Sequence, residues 1–144
     1  MRLMGLDYGS KTVGVALSDP LLMTAEPLET IVRKEENHLR RTLARIAEIV
    51  REYEVTEIVL GNPLYPSGDE SERSAVTRAF KEQVEKRTGL PVAMFDERLT
   101  TVEADEALSE MGVKAKDRKK YIDQVAACLI LKDYMGSLNG RKGV

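Results

Sequence analysis

The chain has 144 residues, 22 basic and 24 acidic, for a formal net charge of −2. That length suits one domain and is short for two, and 42% hydrophobic with 32% charged residues excludes a disordered chain. A single cysteine and a single histidine exclude a disulfide framework and argue against a structural zinc site. No apolar run approaches the ~20 residues a bilayer demands and no signal pattern opens the chain, so a cytoplasmic protein without membrane contact is expected.

Residues 2–7 and 13–18 read as short strands joined by Tyr8-Gly9-Ser10-Lys11-Thr12, a connection of hairpin length. A third strand is expected over 28–32, after Pro27. Strands linked this tightly must run antiparallel, because a parallel neighbour needs a crossover of a dozen or more residues. Leu39, Leu43, Ile46, Ala47 and Val50 then recur at helical steps and predict a helix over about 36–53. The β-branched run at 57–61 reads as a buried parallel strand, followed by an irregular stretch at 62–69. A second helix over 70–88, with Val76, Ala79, Phe80 and Val84 inward, stops at Gly89 and Pro91. Residues 91–95 form the last strand. Thr100 and Glu103 make a capping box for a helix over 101–111, and a final helix spans about 119–134 with Ile122, Val125, Ala126, Leu129 and Ile130 inward. The sum is an α/β fold: a five-stranded mixed sheet, three antiparallel strands then two parallel, with helices on both faces. One domain over 1–136 and a tail over 137–144 are expected.

Polar residues beyond the needs of a core gather in four places. Asp7 ends the first strand, where Gly9 permits positive φ and close approach by a phosphate, and Lys11 offers charge. Asp96, Glu97 and Arg98, with Thr100 and Thr101, follow the last strand. Asp123 sits beside an apolar helical stripe, where pairing with Lys119 or Lys120 is the plain alternative. Gly61, at the end of the fourth strand, brings no ionisable group and can only shape a site. In such a sheet Asp7, Glu97 and Asp123 can converge. Carboxylates ~4 Å apart repel by roughly 4 kcal/mol at an effective dielectric of 20. A cation must offset that, and all-oxygen ligands favour Mg²⁺ or Mn²⁺. Such a centre suits phosphodiester hydrolysis. Lys114, Lys116, Arg118, Lys119 and Lys120, offset by Asp117, carry a local +4 that can grip flanking phosphates. Cys128 reads as a buried hydrophobe and His38 as a surface residue.

The segments MGLDYGSKTVGVALSD, EIVLGNPLYPSGDESERS, VAMFDERLTT and KDRKKYIDQVAACLIL, in this order, resemble the YqgF or RuvX-type family of Holliday junction resolvase-like proteins. The resemblance covers residues 2–134. It implies an RNase H-like fold and a nuclease maturing the 5′ end of precursor 16S rRNA, with Asp7, Glu97 and Asp123 around divalent metal. Two departures stand out. Thr12 follows Lys11 where the family often has arginine, and no acid ends the strand at Gly61, so the middle ligand falls to Asp96 or Glu97, the longer Glu97 being favoured. Structured RNA is the expected substrate. A non-catalytic RNA-binding assembly factor and a resolvase of branched DNA are the alternatives, with monomer and homodimer both open. Aromatic residues at 5% with no tryptophan leave few stacking platforms for single strands. A phosphate-binding ATPase would need a second such domain, which this length does not supply.

Overall fold

The computed structural model describes residues 2–63, 67–96 and 100–142, the side chains of 100–102, 119, 120 and 139–142 excepted. Five strands and four helices follow in the order β1 (Arg2–Tyr8), β2 (Thr12–Ser18), β3 (Ala25–Val32), α1 (Arg40–Glu52), β4 (Val55–Asn62), α2 (Glu72–Thr88), β5 (Val92–Asp96), α3 (Thr100–Glu110) and α4 (Ala115–Lys142). The strands form one sheet in the order β3-β2-β1-β4-β5. β1 pairs antiparallel with β2, and β2 with β3. β1 pairs parallel with β4, and β4 with β5. The expected mixed sheet is the one observed.

The period-two alternation of β1 and β2 sorts their side chains to two different cores. Met4, Leu6, Tyr8, Val13, Val15 and Leu17 join Ile46 and Ile49 of α1 and Phe80 and Val84 of α2. Leu3 and Ala16 turn the other way and join Ala127, Ile130 and Leu131 of α4. The α4 face is built from small residues. A Cβ on Gly5 would lie 2.6 Å from the Ala127 carbonyl oxygen, and one on Gly14 only 2.0 Å from that of Asp123. Glycine here serves close approach, since neither residue has positive φ. Helix α4 therefore rests directly on the backbone of the β1–β2 pair.

Several elements depart from the sequence expectation. β3 starts at Ala25 and runs through Pro27, because β3 is an edge strand with a register shift between Val15 and Ala16 of its partner. α1 begins at Arg40 rather than near residue 36. Glu36 is occupied elsewhere, its carbonyl accepting from Arg33 Nε at 3.1 Å and its carboxylate pairing with Arg73. In α2 the inward residues are Ser74, Thr77, Phe80 and Val84, whereas Val76 and Ala79 are exposed. The stripe is continued by small polar residues that a search for apolar spacing passes over. Ser71 caps this helix, with Ser74 completing a capping box, and Gly89 ends it in the left-handed region at φ 72°. α4 starts before the expected boundary and continues through residues 137–142, expected as a tail. Its buried side chains are Ala126, Ala127, Cys128, Ile130, Leu131 and Met135, while Ile122, Val125 and Leu129 are half-buried. The capping box expected at Thr100 lies outside the described side chains.

Candidate active site

Asp7 stands one residue from the carboxyl end of β1, level with Gly14 of β2. Residues directly opposite in an antiparallel pair project to the same face, with Cα atoms ~4.5–5.5 Å apart. Gly14 is the point at which the α4 backbone at Asp123 meets the sheet, since the space of its missing Cβ is filled by the Asp123 carbonyl group and the Gln124 nitrogen. Asp7 and Asp123, separated by more than a hundred residues, thus flank one glycine. Both are half-buried. The Thr12 hydroxyl donates to Asp123 Oδ2 at 2.7 Å, which fixes the carboxylate toward the β1–β2 turn.

That turn differs from expectation in detail. Gly9 does not take positive φ. Its N–H donates to the Thr12 carbonyl at 2.7 Å, and a Cβ there would come within 3.2 Å of Thr12 Oγ1. The glycine makes room for Thr12, and Thr12 orients Asp123. Lys11 is exposed at the tip of the turn.

The parallel half of the sheet brings its own ends alongside. Leu6 is level with Leu60, and Gly61 with Phe95. Gly61 is buried. Next to it, Asn62 and Asp96 pair at the last rung of β4 and β5. Asp96 is exposed and shares the parity of Val92, which lies in the α1–α2 core, whereas Phe95 packs in the α4 core. Alternation therefore sets Asp96 on the face opposite Asp7. Glu97 and Arg98 lie outside the described residues, as do the side chains of Thr100, Thr101, Lys119 and Lys120. Among the described residues no three His, Cys, Asp or Glu side chains group as a metal site.

Of the basic stretch, Lys114 and Lys116 are exposed. Arg118 is committed to the structure, pairing with Asp105 of α3 at 3.0 Å and donating to the Val113 carbonyl at 3.2 Å. The two soft ligands stand apart from the acids: Cys128 is buried and donates to the Ala25 carbonyl at 3.3 Å, and His38 is exposed beyond β3. Burial pushes the Cys128 thiol above its ordinary pKa.

The sequence reading missed Arg33 and Arg73. Arg33 follows β3 and is 93% buried, with its Nη2 donating to the Gly9 carbonyl at 2.6 Å. Its guanidinium lies 4.8 Å from the centroid of the Tyr8 ring, and that of Arg73 lies 5.5 Å away. Tyr8 stacks on Phe80 at 4.0 Å with an 8° interplanar angle. A basic residue beside charged neighbours at 33–36 carries no local sign that it will be buried, and only the tertiary pairing with Tyr8 reveals it.

Comparison with known proteins gives the family and the fold. The model of the family described as RuvX, Holliday junction resolvase, matches residues 1–137. A protein of Lachnospira eligens named "putative pre-16S rRNA nuclease" is 58% identical over 137 residues, covering 95% of this chain and 98% of its own. One of Moorella thermoacetica with the same name is 47% identical over 144 residues, all of both chains. Among solved structures, Thermus thermophilus RuvC in complex with a Holliday junction superposes with a TM-score of 0.59 at 16% identity, over 97% of this chain and 96% of that one. The fowlpox virus Holliday junction resolvase gives 0.59 at 14% identity, over 96% and 99%. At those identities the likeness is one of fold, the RNase H-like fold. The family match spans nearly every element described above, and the chain belongs to the RuvX family.

Proposed function

We propose that this protein is a divalent-metal-dependent nuclease acting on structured precursor 16S rRNA, within a single domain over residues 1–136. Membership of the family makes it a hydrolase of nucleic-acid phosphodiester bonds. The observation that supports the reading is that Asp7 lies level with Gly14, where the α4 main chain at Asp123 closes onto the sheet. The donors are hard carboxylate oxygens, with the only thiol and imidazole elsewhere, a set that fits Mg²⁺ or Mn²⁺ rather than zinc. Asp7 and Asp123 would hold the ion, and Glu97 is the third acid, since Asp96 falls on the opposite face. When bound, such an ion polarises a phosphoryl oxygen and lowers the pKa of water.

The remaining residues bind and orient. Thr12 keeps Asp123 turned toward the end of β1 and supplies a hydrogen bond its carboxylate would otherwise seek from water. Gly14 lets the α4 main chain at Asp123 close onto the strand beside Asp7, and Gly9 makes room for Thr12. Lys11 at the turn tip, with Lys114 and Lys116 near the start of α4, meets the phosphate backbone, and Arg98 follows the third acid. Aromatic residues make up only 5% of the chain, so recognition rests on shape and backbone charge, as suits duplex RNA. Cytoplasmic residence follows from such a substrate, and among the described residues no helix is long and apolar enough to cross a membrane.

The test is cleavage of matched RNA and branched DNA by purified protein with Mg²⁺ or Mn²⁺. Asp7→Asn, Glu97→Gln and Asp123→Asn are expected to abolish RNA cleavage with the fold intact. Unchanged cleavage by Asp7→Asn would refute the catalytic assignment. Cleavage of the DNA junction alone would favour the resolvase reading.

A further inference from the structure

On the sheet face opposite Asp7, at the same strand end, two guanidinium groups lie over one aromatic ring. Arg33 and Arg73 both lie over the Tyr8 ring, which also stacks on Phe80. Two like charges sharing one ring need compensation, and Glu36 supplies only one negative charge through its pair with Arg73. Each guanidinium also keeps a nitrogen sealed from solvent without an acceptor, Nη1 of Arg33 and Nη2 of Arg73. A buried charged donor left unpaired costs more than a neutral one, so the pair carries an excess of positive charge that an anion at the exposed edge of Arg73 would offset. The partner that meets the exposed part of Arg73 must be anionic, since Glu36 answers only one of the two positive charges. Arg33 also borders a cleft of about 640 Å³ along residues 32–41, lined by Lys34, Arg40 and Arg41 as well.

We infer that Arg73, whose side chain is 37% exposed, is a phosphate contact for the nucleic-acid backbone, at a subsite across the end of β1 from Asp7 that the buried Arg33 braces from behind, with the basic cleft as the continuing strand path. The inference draws on the nuclease reading only for the identity of the molecule that carries the phosphate. Ser71 and Ser74 seat Arg73 by capping α2, and the Gly9 carbonyl seats Arg33, so both forks are held before substrate arrives. The main-chain link through Gly9 ties this subsite to the Thr12 turn that holds Asp123.

The experiment is fluorescence anisotropy with a labelled RNA duplex and a DNA duplex of the same sequence. Titrations run in chelator without divalent metal, so that binding is read apart from cleavage, over a range of salt. Arg73→Gln is expected to weaken binding about five- to twenty-fold and to lower the slope of log K against log salt by about one. Arg73→Lys keeps the slope but recovers only part of the affinity. Glu36→Gln, which breaks the same ion pair from the other side, should bind as tightly as wild type or more so. Lys86→Gln, at the far end of α2, serves as the control for a general loss of charge. An effect in both arms, or in one, supports the subsite and tells which backbone fills it. Wild-type affinity and slope for Arg73→Gln in both arms would overturn it, as would Glu36→Gln matching Arg73→Gln. Retained cleavage by Asp7→Asn would instead strike the nuclease reading, leaving this binding result to stand by itself.

Discussion

Gly14→Ala probes the joint on which the site is built. The added Cβ would lie 2.0 Å from the Asp123 carbonyl oxygen, 1.4 Å short of the 3.4 Å at which ordinary contact begins. The 2.2 Å approach to the Asp123 carbon and 2.7 Å approach to the Gln124 nitrogen are also to main chain, so no side chain can swing aside. Helix α4 must lift off the sheet, loosening Ala127, Ile130 and Leu131 from the core they share with Leu3 and Ala16. Overpacking of this kind costs about 3 kcal/mol, and at this chain length that lowers Tm by roughly 6–12 °C. The same movement draws Asp123 away from Asp7, and a misplacement of ~1 Å costs on the order of 100-fold in rate. Gly5→Ala is the matched control. Its Cβ would meet the Ala127 oxygen at 2.6 Å and Leu131 Cβ at 3.0 Å, one turn farther along α4. It should lose about 1–2 kcal/mol and less than ~10-fold in rate. Urea unfolding and initial cleavage rates on one RNA substrate, measured in conditions where both variants stay folded, read the two effects separately. Rates falling only in step with stability, equally for both variants, would refute the claim that Gly14 sets the distance between the two acids.

Thr12→Val removes the donor to Asp123 Oδ2 while keeping the shape. Stability should fall by about 1 kcal/mol and the cleavage rate by about 10-fold, with Thr12→Ser restoring both; a Thr12→Val enzyme of full activity would contradict the orienting role. Ser71→Ala removes the α2 cap and should cost about 1 kcal/mol in urea unfolding, with a weaker grip of duplex RNA through Arg73. Cys128 gives a pH test. Its thiol is raised by burial, so the stability it contributes is fully present below the ordinary value of 9.0 and is lost as pH rises toward the higher folded value. Wild type should therefore lose stability relative to Cys128→Ala above about pH 9 in denaturant melts, and parallel curves would show that the thiol is not shielded.

The sheet was legible because its signals are local. Short connections forced β1, β2 and β3 into an antiparallel set, and a helix between β3 and β4 forced the parallel half. Asp7 and Asp123 stand out in the sequence as acids beside an apolar strand and an apolar helical stripe, and the fold sets Asp7 and the main chain of Asp123 at Gly14. What stayed hidden depends on contacts across the chain. The small residues Gly5, Gly14 and Ala16 read as ordinary strand members until α4 was laid against them. Thr12 read as a missing arginine, although its hydroxyl does work an arginine would not, donating to Asp123 within the turn. The charge run at 114–120 promised five cations for substrate, yet Arg118 is spent on Asp105 and Val113. Arg33 and Arg73 went unnoticed because a charge is expected in water, and nothing near them in sequence announces the Tyr8 ring.

Asp7 and Asp123, joined by Glu97, are proposed to hold the metal used for phosphodiester hydrolysis. Calorimetric titration of Mn²⁺ into the metal-free protein addresses this directly, with each acid-to-amide variant titrated beside wild type. Wild type should bind Mn²⁺, and binding should weaken strongly in Asp7→Asn, Glu97→Gln and Asp123→Asn while Asp96→Asn binds nearly as wild type does. Equal Mn²⁺ affinity in wild type and Asp123→Asn would contradict the account.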